Sequence, residues 1–338
     1  MWQHSIIHLS IAAVASFGFG FSANAAATYT TFDPPGALYT YPMSIQAGAI
    51  AGNYQDHAGY MHGFVRSVDG TITTFDPSSS NGTYVLSMNR DGVIIGYADD
   101  LDYLGHAFLR TSDGTITSIE PPKAVASYAY GIDRKGLVAG YYADGSSAWH
   151  GFLRKPNGRF KSFDVPGATF VAVYGMNDHG AVTGFYRDQA DVTHSFVRDS
   201  NGTIQTFDPA GSTFTAAYGI DDDGAVTGYY MDSSFVAHGF LREPDGTMTS
   251  FDAPGAGNGT YTNGISSGGR IAGYFIDSDY AAHGFERSKN GKIRTFDVPD
   301  STGTYGQTAD SSRSDHYGVI GFYDDSAGAA HGYLRVKP

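Results

Sequence analysis

From residue 28 onward the chain alternates short apolar runs with turn-forming clusters. Ala216 to Ile220 and Ala225 to Met231 are two such runs, separated by Asp221-Asp222-Asp223-Gly224. His238 to Arg242 and Thr247 to Asp252 are two more, separated by Pro244-Asp245-Gly246. Asp-Gly and Asn-Gly pairs are hairpin chemistry, because glycine accepts the positive φ that tight turns need. Pro254-Gly255 then stops the last run and redirects the chain. The pattern predicts four antiparallel strands, a to d. The aromatic pairs Tyr141-Tyr142, Tyr229-Tyr230 and Phe322-Tyr323 fall in strand b and alternate across the sheet, as core residues between sheets would. No later segment has the 3.6-residue apolar period of a helix.

This four-strand phrase recurs. Glycine stands in strand b at 52, 96, 140, 184, 228, 273 and 321, so the period is 44 or 45 residues with a last step of 48. Four residues after each glycine comes an aspartate, ten after comes a histidine, and fourteen after comes an arginine. In the first unit these are Asp56, His62 and Arg66, with Asp76 a further ten residues on; in the fifth they are Asp232, His238, Arg242 and Asp252. A period of this length marks a propeller or another repeat array. A lone sheet of four short strands cannot bury both faces and must stack on neighbours. TYTTFD at Thr28 to Asp33 matches TMTSFD at Thr247 to Asp252, while the last unit stops at His331 to Arg335 without a strand d. The expectation is therefore an all-β, seven-bladed β-propeller of four-stranded antiparallel blades, spanning 26–338 and closed by the N-terminal strand.

Composition agrees with this reading. The chain has 45 Gly, 24 Tyr and 22 Phe among 338 residues, and only 16% are charged. Net charge is −13 and no Lys/Arg cluster exists, which excludes a nucleic-acid role and argues against anionic membranes. Cysteine is absent, so disulfides and thiolate metal sites are excluded. Residues 1–25 read as a signal peptide: Ile6 to Phe21 is apolar and Ala23-Asn24-Ala25 is a small-residue cleavage site. The expected product is a secreted or periplasmic monomer without a cofactor.

Antiparallel blades put the d-to-a and b-to-c loops on one face and the tight a-to-b and c-to-d turns on the other. The longer loops make the first face the expected binding face. Each blade should gather three groups there: the Asp ending strand b, the His opening strand c and the acid ending strand d. Two carboxylates and an imidazole could hold a metal. Seven copies favour a structural hydrogen-bond network instead. The recurring arginine is expected to pair with a carboxylate of its adjacent c-to-d turn. The aromatics assigned to the d-to-a loops, Tyr39, Tyr41, Tyr84, Tyr128, Phe170, Phe214, Tyr261 and Tyr305, are the candidate ligand contacts. The one break in the repeat is Ala309 to Gly318, which places Arg313 where unit five has Ile220. Arg313, Asp315 and His316 are the only candidates for an asymmetric catalytic group.

The phrase His-Gly/Ala-Phe-x-Arg, preceded by G-x-[IV]-x-G-[YF], resembles the bacterial extracellular HAF-type repeats; His106-Ala107-Phe108 is the literal triplet. The resemblance covers Thr28 to Arg335 and implies an exported repeat protein, with no established activity to carry over. The chain departs from it in usually having Gly for the middle Ala. The functional expectation is a binding module for a glycan, a cell-envelope polymer or a protein. The alternative is a polysaccharide-active hydrolase or lyase with its site at the channel mouth.

Overall fold

The structure, a computed structural model, describes residues 27–310 and 318–337. Those residues form strands and connecting turns, with no helix among them. Five four-stranded antiparallel sheets follow one another, within residues 82–118, 124–163, 170–207, 214–251 and 259–296. The remaining sheet has eight strands. It resolves into two antiparallel runs of four. Unit 1 is Ala37–Gln46, Ala49–Asp56, Met61–Arg66 and Ile72–Phe75. Unit 7 is Gly303–Ala309, Gly318–Asp324 and Ala330–Val336, completed by Thr28–Phe32, which pairs antiparallel with Ala330–Val336 in the register Tyr29 to Arg335. A single parallel bridge, Tyr39 to Ala330, joins the two runs. The N-terminal strand thus completes the last unit, as the TYTTFD match predicted.

Strand a of every unit carries a bulge opposite the periodic glycine. In unit 5, Ala217 pairs with Gly228 and Gly219 with Thr227, leaving Tyr218 as the extra residue. The bulge presses the backbone of strand a onto strand b. A Cβ on Gly228 would lie 2.0 Å from the Ala216 carbonyl oxygen, and the other six strand-b glycines stand at 1.9–2.3 Å in the same way. Steric contact explains why the most regular residue of the repeat is glycine.

A second glycine, in strand c, sits beneath a ring. A Cβ on Gly63, Gly151, Gly239, Gly284 or Gly332 would lie 2.3–2.8 Å from the strand-d rings of Phe75, Phe163, Phe251, Phe296 or Phe32. The same ring meets the next unit. Phe75 is edge-on to Phe108, Phe251 to Phe285 and Phe296 to Tyr333, and Phe32 of the N-terminal strand is edge-on to Phe64 of unit 1 at 6.1 Å. Two units depart from the scheme: unit 4 holds Ser195 opposite Phe207, and unit 2 holds Ala107 for the glycine and Ile119 for the phenylalanine. In unit 2 the exchange is reciprocal. The methyl group gained in strand c is matched by a smaller side chain in strand d, which keeps the volume constant. Between sheets, buried side chains of successive units interleave, as Tyr141 and Val165 do with Val171, Val182 and Phe196.

The seam between units 6 and 7 holds a buried charge. Glu286 stands in the strand-c column where unit 5 has Leu241. Its side chain is 2% exposed and meets Arg335 at 3.1 Å, Arg294 at 3.5 Å and Lys337. Burial pushes its carboxyl up, but the hydrogen bond and charge of Lys337 with the charges of Arg335 and Arg270 outweigh it and hold the pKa below the usual glutamate value.

Two outcomes follow. Ile119→Phe alone should destabilise the protein, because Ile119 is fully buried in one cluster with Ala107 and the larger ring has no free volume there, and adding Ala107→Gly should recover stability. The coupling should be about 0.5–3 kcal/mol in a denaturant double-mutant cycle, and additivity would refute the packing account. For Glu286, a carboxyl held below its unfolded pKa stabilises above that pKa and loses its contribution as pH falls through the folded value. Glu286→Gln should therefore cost about 3–5 kcal/mol at neutral pH, with the deficit narrowing on acidification.

Candidate functional site

The rim network forms in all seven units. Each histidine Nδ1 lies 2.6–3.2 Å from the acid ending strand d, and each Nε2 lies 3.0–3.6 Å from the Asp ending strand b. In unit 1, His62 stands between Asp76 and Asp56; in unit 5, His238 stands between Asp252 and Asp232. In the last unit His331 reaches Asp33 across the N-terminal strand at 2.7 Å. The acids have further work. Asp232 Oδ1 accepts the Ser234 and Val236 amides and so ties the b-to-c loop, while Asp76 Oδ1 accepts the Thr83 hydroxyl. Except in unit 2, where Ala98 faces His106, the imidazole also lies over the strand-b aromatic, as His62 does on Tyr54 and His238 on Tyr230. These atoms are engaged in tying strand ends together.

The recurring arginine is placed otherwise than expected. Arg242 lies 5.0 Å from the Phe207 ring centroid, and Arg66 lies 5.2 Å from Phe32. The guanidinium stacks on the strand-d ring of the preceding unit at Arg66, Arg110, Arg198, Arg242, Arg287 and Arg335, while Arg154 follows the unit that carries Ile119. Arg242 and Arg66 also donate to the carbonyl of the residue after them, Glu243 and Ser67 respectively. A cation on an aromatic face, out of bulk water, displaces the turn carboxylate as the main partner.

The eight aromatics assigned to d-to-a loops lie in strand a and are half-buried. Tyr84 stacks on Tyr97, Tyr128 on Tyr141, Phe214 on Tyr229, Tyr261 on Tyr274 and Tyr305 on Phe322; Phe170 packs at a tilt on Phe185. Tyr39 and Tyr41 stack on one another, and Tyr41 meets Phe322 edge-on. Edge-on contacts between units, such as Tyr97 to Tyr128 and Tyr274 to Tyr305, link these stacks. The loops reach less far than the sequence suggested because strand a begins two residues before these rings in units 2, 6 and 7. Arg313, Asp315 and His316 lie outside the described residues.

Three features were not anticipated. The first is at the tips of the b-to-c loops, three residues after the strand-b Asp. Units 1 and 7 place Gly59 and Gly328 there at positive φ, but Tyr103, Phe235 and Tyr280 occupy the same left-handed conformation at φ 60°, 62° and 65°. They are 75%, 79% and 79% exposed, and Leu101 beside Tyr103 is 81% exposed. The second is a cavity of about 400 Å³ bordered by Ser78 to Ser80, Asp99, His106 and Glu120 above Phe108 and Ile116, beside the exposed tip of unit 2. The third is a cavity of about 430 Å³ lined by strand a of every unit, together with a-to-b turn residues. It opens on the tight-turn face, opposite the tips.

Among solved structures, the chain is similar to the β-propeller domain of the Trilobed protease from Pyrococcus furiosus (8% identity, 88% of this chain and 94% of that one, TM-score 0.61). It is also similar to puromycin hydrolase (12% identity, 89% of this chain, TM-score 0.61), of which it spans 53%. A third is the BP39L lectin from Burkholderia pseudomallei (10% identity, 91% of this chain and 95% of that one, TM-score 0.55). No family model and no curated protein matches the sequence. The likeness defines the class by fold: this is a β-propeller repeat protein.

The rim network makes stability depend on pH. For His62, His194, His283 and His331, partial burial alone would lower the pKa, but the flanking carboxylates raise it above the usual histidine value. A raised imidazole stabilises while protonated and loses that contribution as pH rises through its folded pKa. The partner Asp144 is held at about 2 by the Ser146 hydroxyl and the amides of its loop, and Asp56 is held low mainly by the Tyr60 amide. Such carboxylates stabilise above the unfolded value and lose it in acid. The thermal midpoint should therefore peak between about pH 4 and pH 6.5 and decline on both sides. A midpoint flat from about pH 6 to 9 would contradict this account.

Proposed function

We propose that the protein is an exported binding module for a neutral glycan or glycan-rich envelope polymer, engaged through its long-loop face. Seven blades in a closed ring are the architecture that fits best. The N-terminal strand pairs into unit 7, unit 1 adjoins that unit, and strand a of all seven units borders one cavity. The HAF-type resemblance and the apolar N-terminal run support export.

The observation that carries the binding reading is the set of aromatic rings at Tyr103, Phe235 and Tyr280. A side chain with a Cβ in the left-handed region costs roughly 1–2 kcal/mol where glycine costs nothing. A ring that is more than 70% exposed regains none of it by packing inside the chain. Stacking on an apolar sugar face outside the chain does regain it, and rings on rigid loops stack with little loss of entropy. The net charge of −13 disfavours anionic polymers and leaves neutral ones. The lectin among the similar folds is consistent with a glycan ligand.

The triple variant Tyr103→Ser, Phe235→Ser and Tyr280→Ser should lose roughly tenfold or more in affinity for an immobilised polysaccharide identified on a glycan array. Its thermal midpoint should stay level. Unchanged binding by the folded triple variant would overturn the proposal.

A further inference from the structure

The cavity on the tight-turn face is not a by-product of seven-fold packing, because the residues that shape it are those the repeat leaves free. Each strand a has one bulged residue beside the pairing of the periodic glycine, outside the ladder, and a bulge re-aims the side chain it carries. These residues are Met43, Leu86, Tyr130, Tyr174, Tyr218, Asn263 and Gln307, and every one of them lines the cavity. Backbone geometry repeats at the bulge while side-chain chemistry does not.

The arrangement has two sides. Units 3 to 5 contribute a wall of three tyrosines. Tyr130 and Tyr174 lie 4.5 Å apart between centroids, Tyr174 meets Tyr218 edge-on at 5.1 Å, and all three remain partly accessible. Units 6 and 7 contribute two carboxamides: Asn263 Nδ2 donates to the Gly306 carbonyl at 2.9 Å and lies 3.5 Å from Gln307 Oε1. Apolar Met43 and Leu86 come from units 1 and 2. Among the described residues, three charges at the mouth engage one another. Arg134 Nε bonds Asp178 at 2.5 Å, and its guanidinium stands 3.7 Å from Asp222. The described lining holds two arginines, Arg90 and Arg134, against four aspartates, Asp178, Asp221, Asp222 and Asp310, a balance that gives an anion little attraction.

We infer that this cavity is a second ligand site, separate from the loop tips, which takes a short neutral saccharide end with its apolar ring face on Tyr130, Tyr174 and Tyr218 and its hydroxyls toward Asn263 and Gln307. Its volume is in the range that encloses a small ligand, and an aromatic wall facing a few convergent polar groups is the composition of such sites. The ligand class is that of the proposed function, but the residues and the face are different, so either site can fail alone.

The test titrates the full chain with a panel of neutral mono- and disaccharides, read by calorimetry and by the tyrosine signals in NMR. Wild type should bind at least one member, with the channel tyrosines shifting. Gln307→Trp, which fills the cavity, should weaken that binding roughly tenfold or abolish it. Tyr174→Phe, which keeps the ring and removes one hydroxyl, should weaken it by a smaller factor with the thermal midpoint moved by no more than about 2 °C. The triple loop-tip variant should bind the same sugar as wild type does. The inference is overturned if no member of the panel binds, if tetramethylammonium binds there and sugars do not, or if folded Gln307→Trp binds as wild type does. Loss in the loop-tip variant alone, with Gln307→Trp unaffected, would overturn this second site and leave the first.

Discussion

A phenylalanine ring laid over a bare glycine and clamped by an arginine from the next sheet is the contact on which the array rests. Phe251 shows all three parts: it covers Gly239 of its own unit, meets Phe285 of the next edge-on, and receives Arg287 on its face at 4.8 Å. An aromatic pair of this kind is worth about 0.5–1.5 kcal/mol beyond its buried area, and a partly desolvated cation adds a comparable amount. The contact points one way, from strand d of one unit to strand c of the next. The arginine-on-ring part recurs at every junction between units except that from unit 2 to unit 3, where Ile119 replaces the ring, and between units 7 and 1 Phe32 supplies the ring for Phe64 and Arg66.

That directional contact separates the repeated residues from the variable ones. Positions whose strand contacts recur in unit after unit keep nearly one chemistry: the glycines, the strand-d phenylalanine, the arginine and the rim Asp-His-Asp set. Positions outside the strand ladders are released. The bulge residue of strand a and the tip of the b-to-c loop are two such positions, and at both the seven units differ. Recognition surfaces in a repeat protein belong where the packing does not dictate the side chain. The two faces of this molecule meet that condition in different ways, one with projecting rings and the other with a walled recess.

Much of the fold was legible in the sequence because its signals are local. Hairpin turns, the glycine period and the Asp-His spacing along strands b, c and d all report contacts within one unit, where register follows from turn length. The match of Thr28–Asp33 to Thr247–Asp252 carried the one long-range pairing. Contacts between units were not legible. Arg242 has a turn acid three residues away at Asp245, while its ring partner Phe207 is 35 residues back, so nearness along the chain misdirected the assignment. The aromatics at 84, 261 and 305 looked like loop residues because Asn-Gly or Thr-Gly precedes them, yet those glycines open strand a. A signal for the tips did exist. Tyr103, Phe235 and Tyr280 share a column with Gly59 and Gly328, and a large ring aligned with glycine marks a residue held at positive φ. Glu286 was visible in the same manner, as a charge in a column of Leu and Val.

The pairing of Thr28–Phe32 with Ala330–Val336 sets the order of assembly. A ribosome delivers Thr28 well before its strand partner Val336, and the hydrogen-bonding edge of the strand waits for residues 300 (Phe32 to Gly332) to 308 (Thr28 to Val336) positions downstream. Units 2 to 6 can each hairpin as they emerge, but the last sheet is finished only when both extremities are present. Loop-closure entropy makes such a step late and slow. Until then the lone leading strand is an open template for intermolecular pairing. A nascent chain of this design is best served by a holdase, or by passage through a translocon, until its tail arrives.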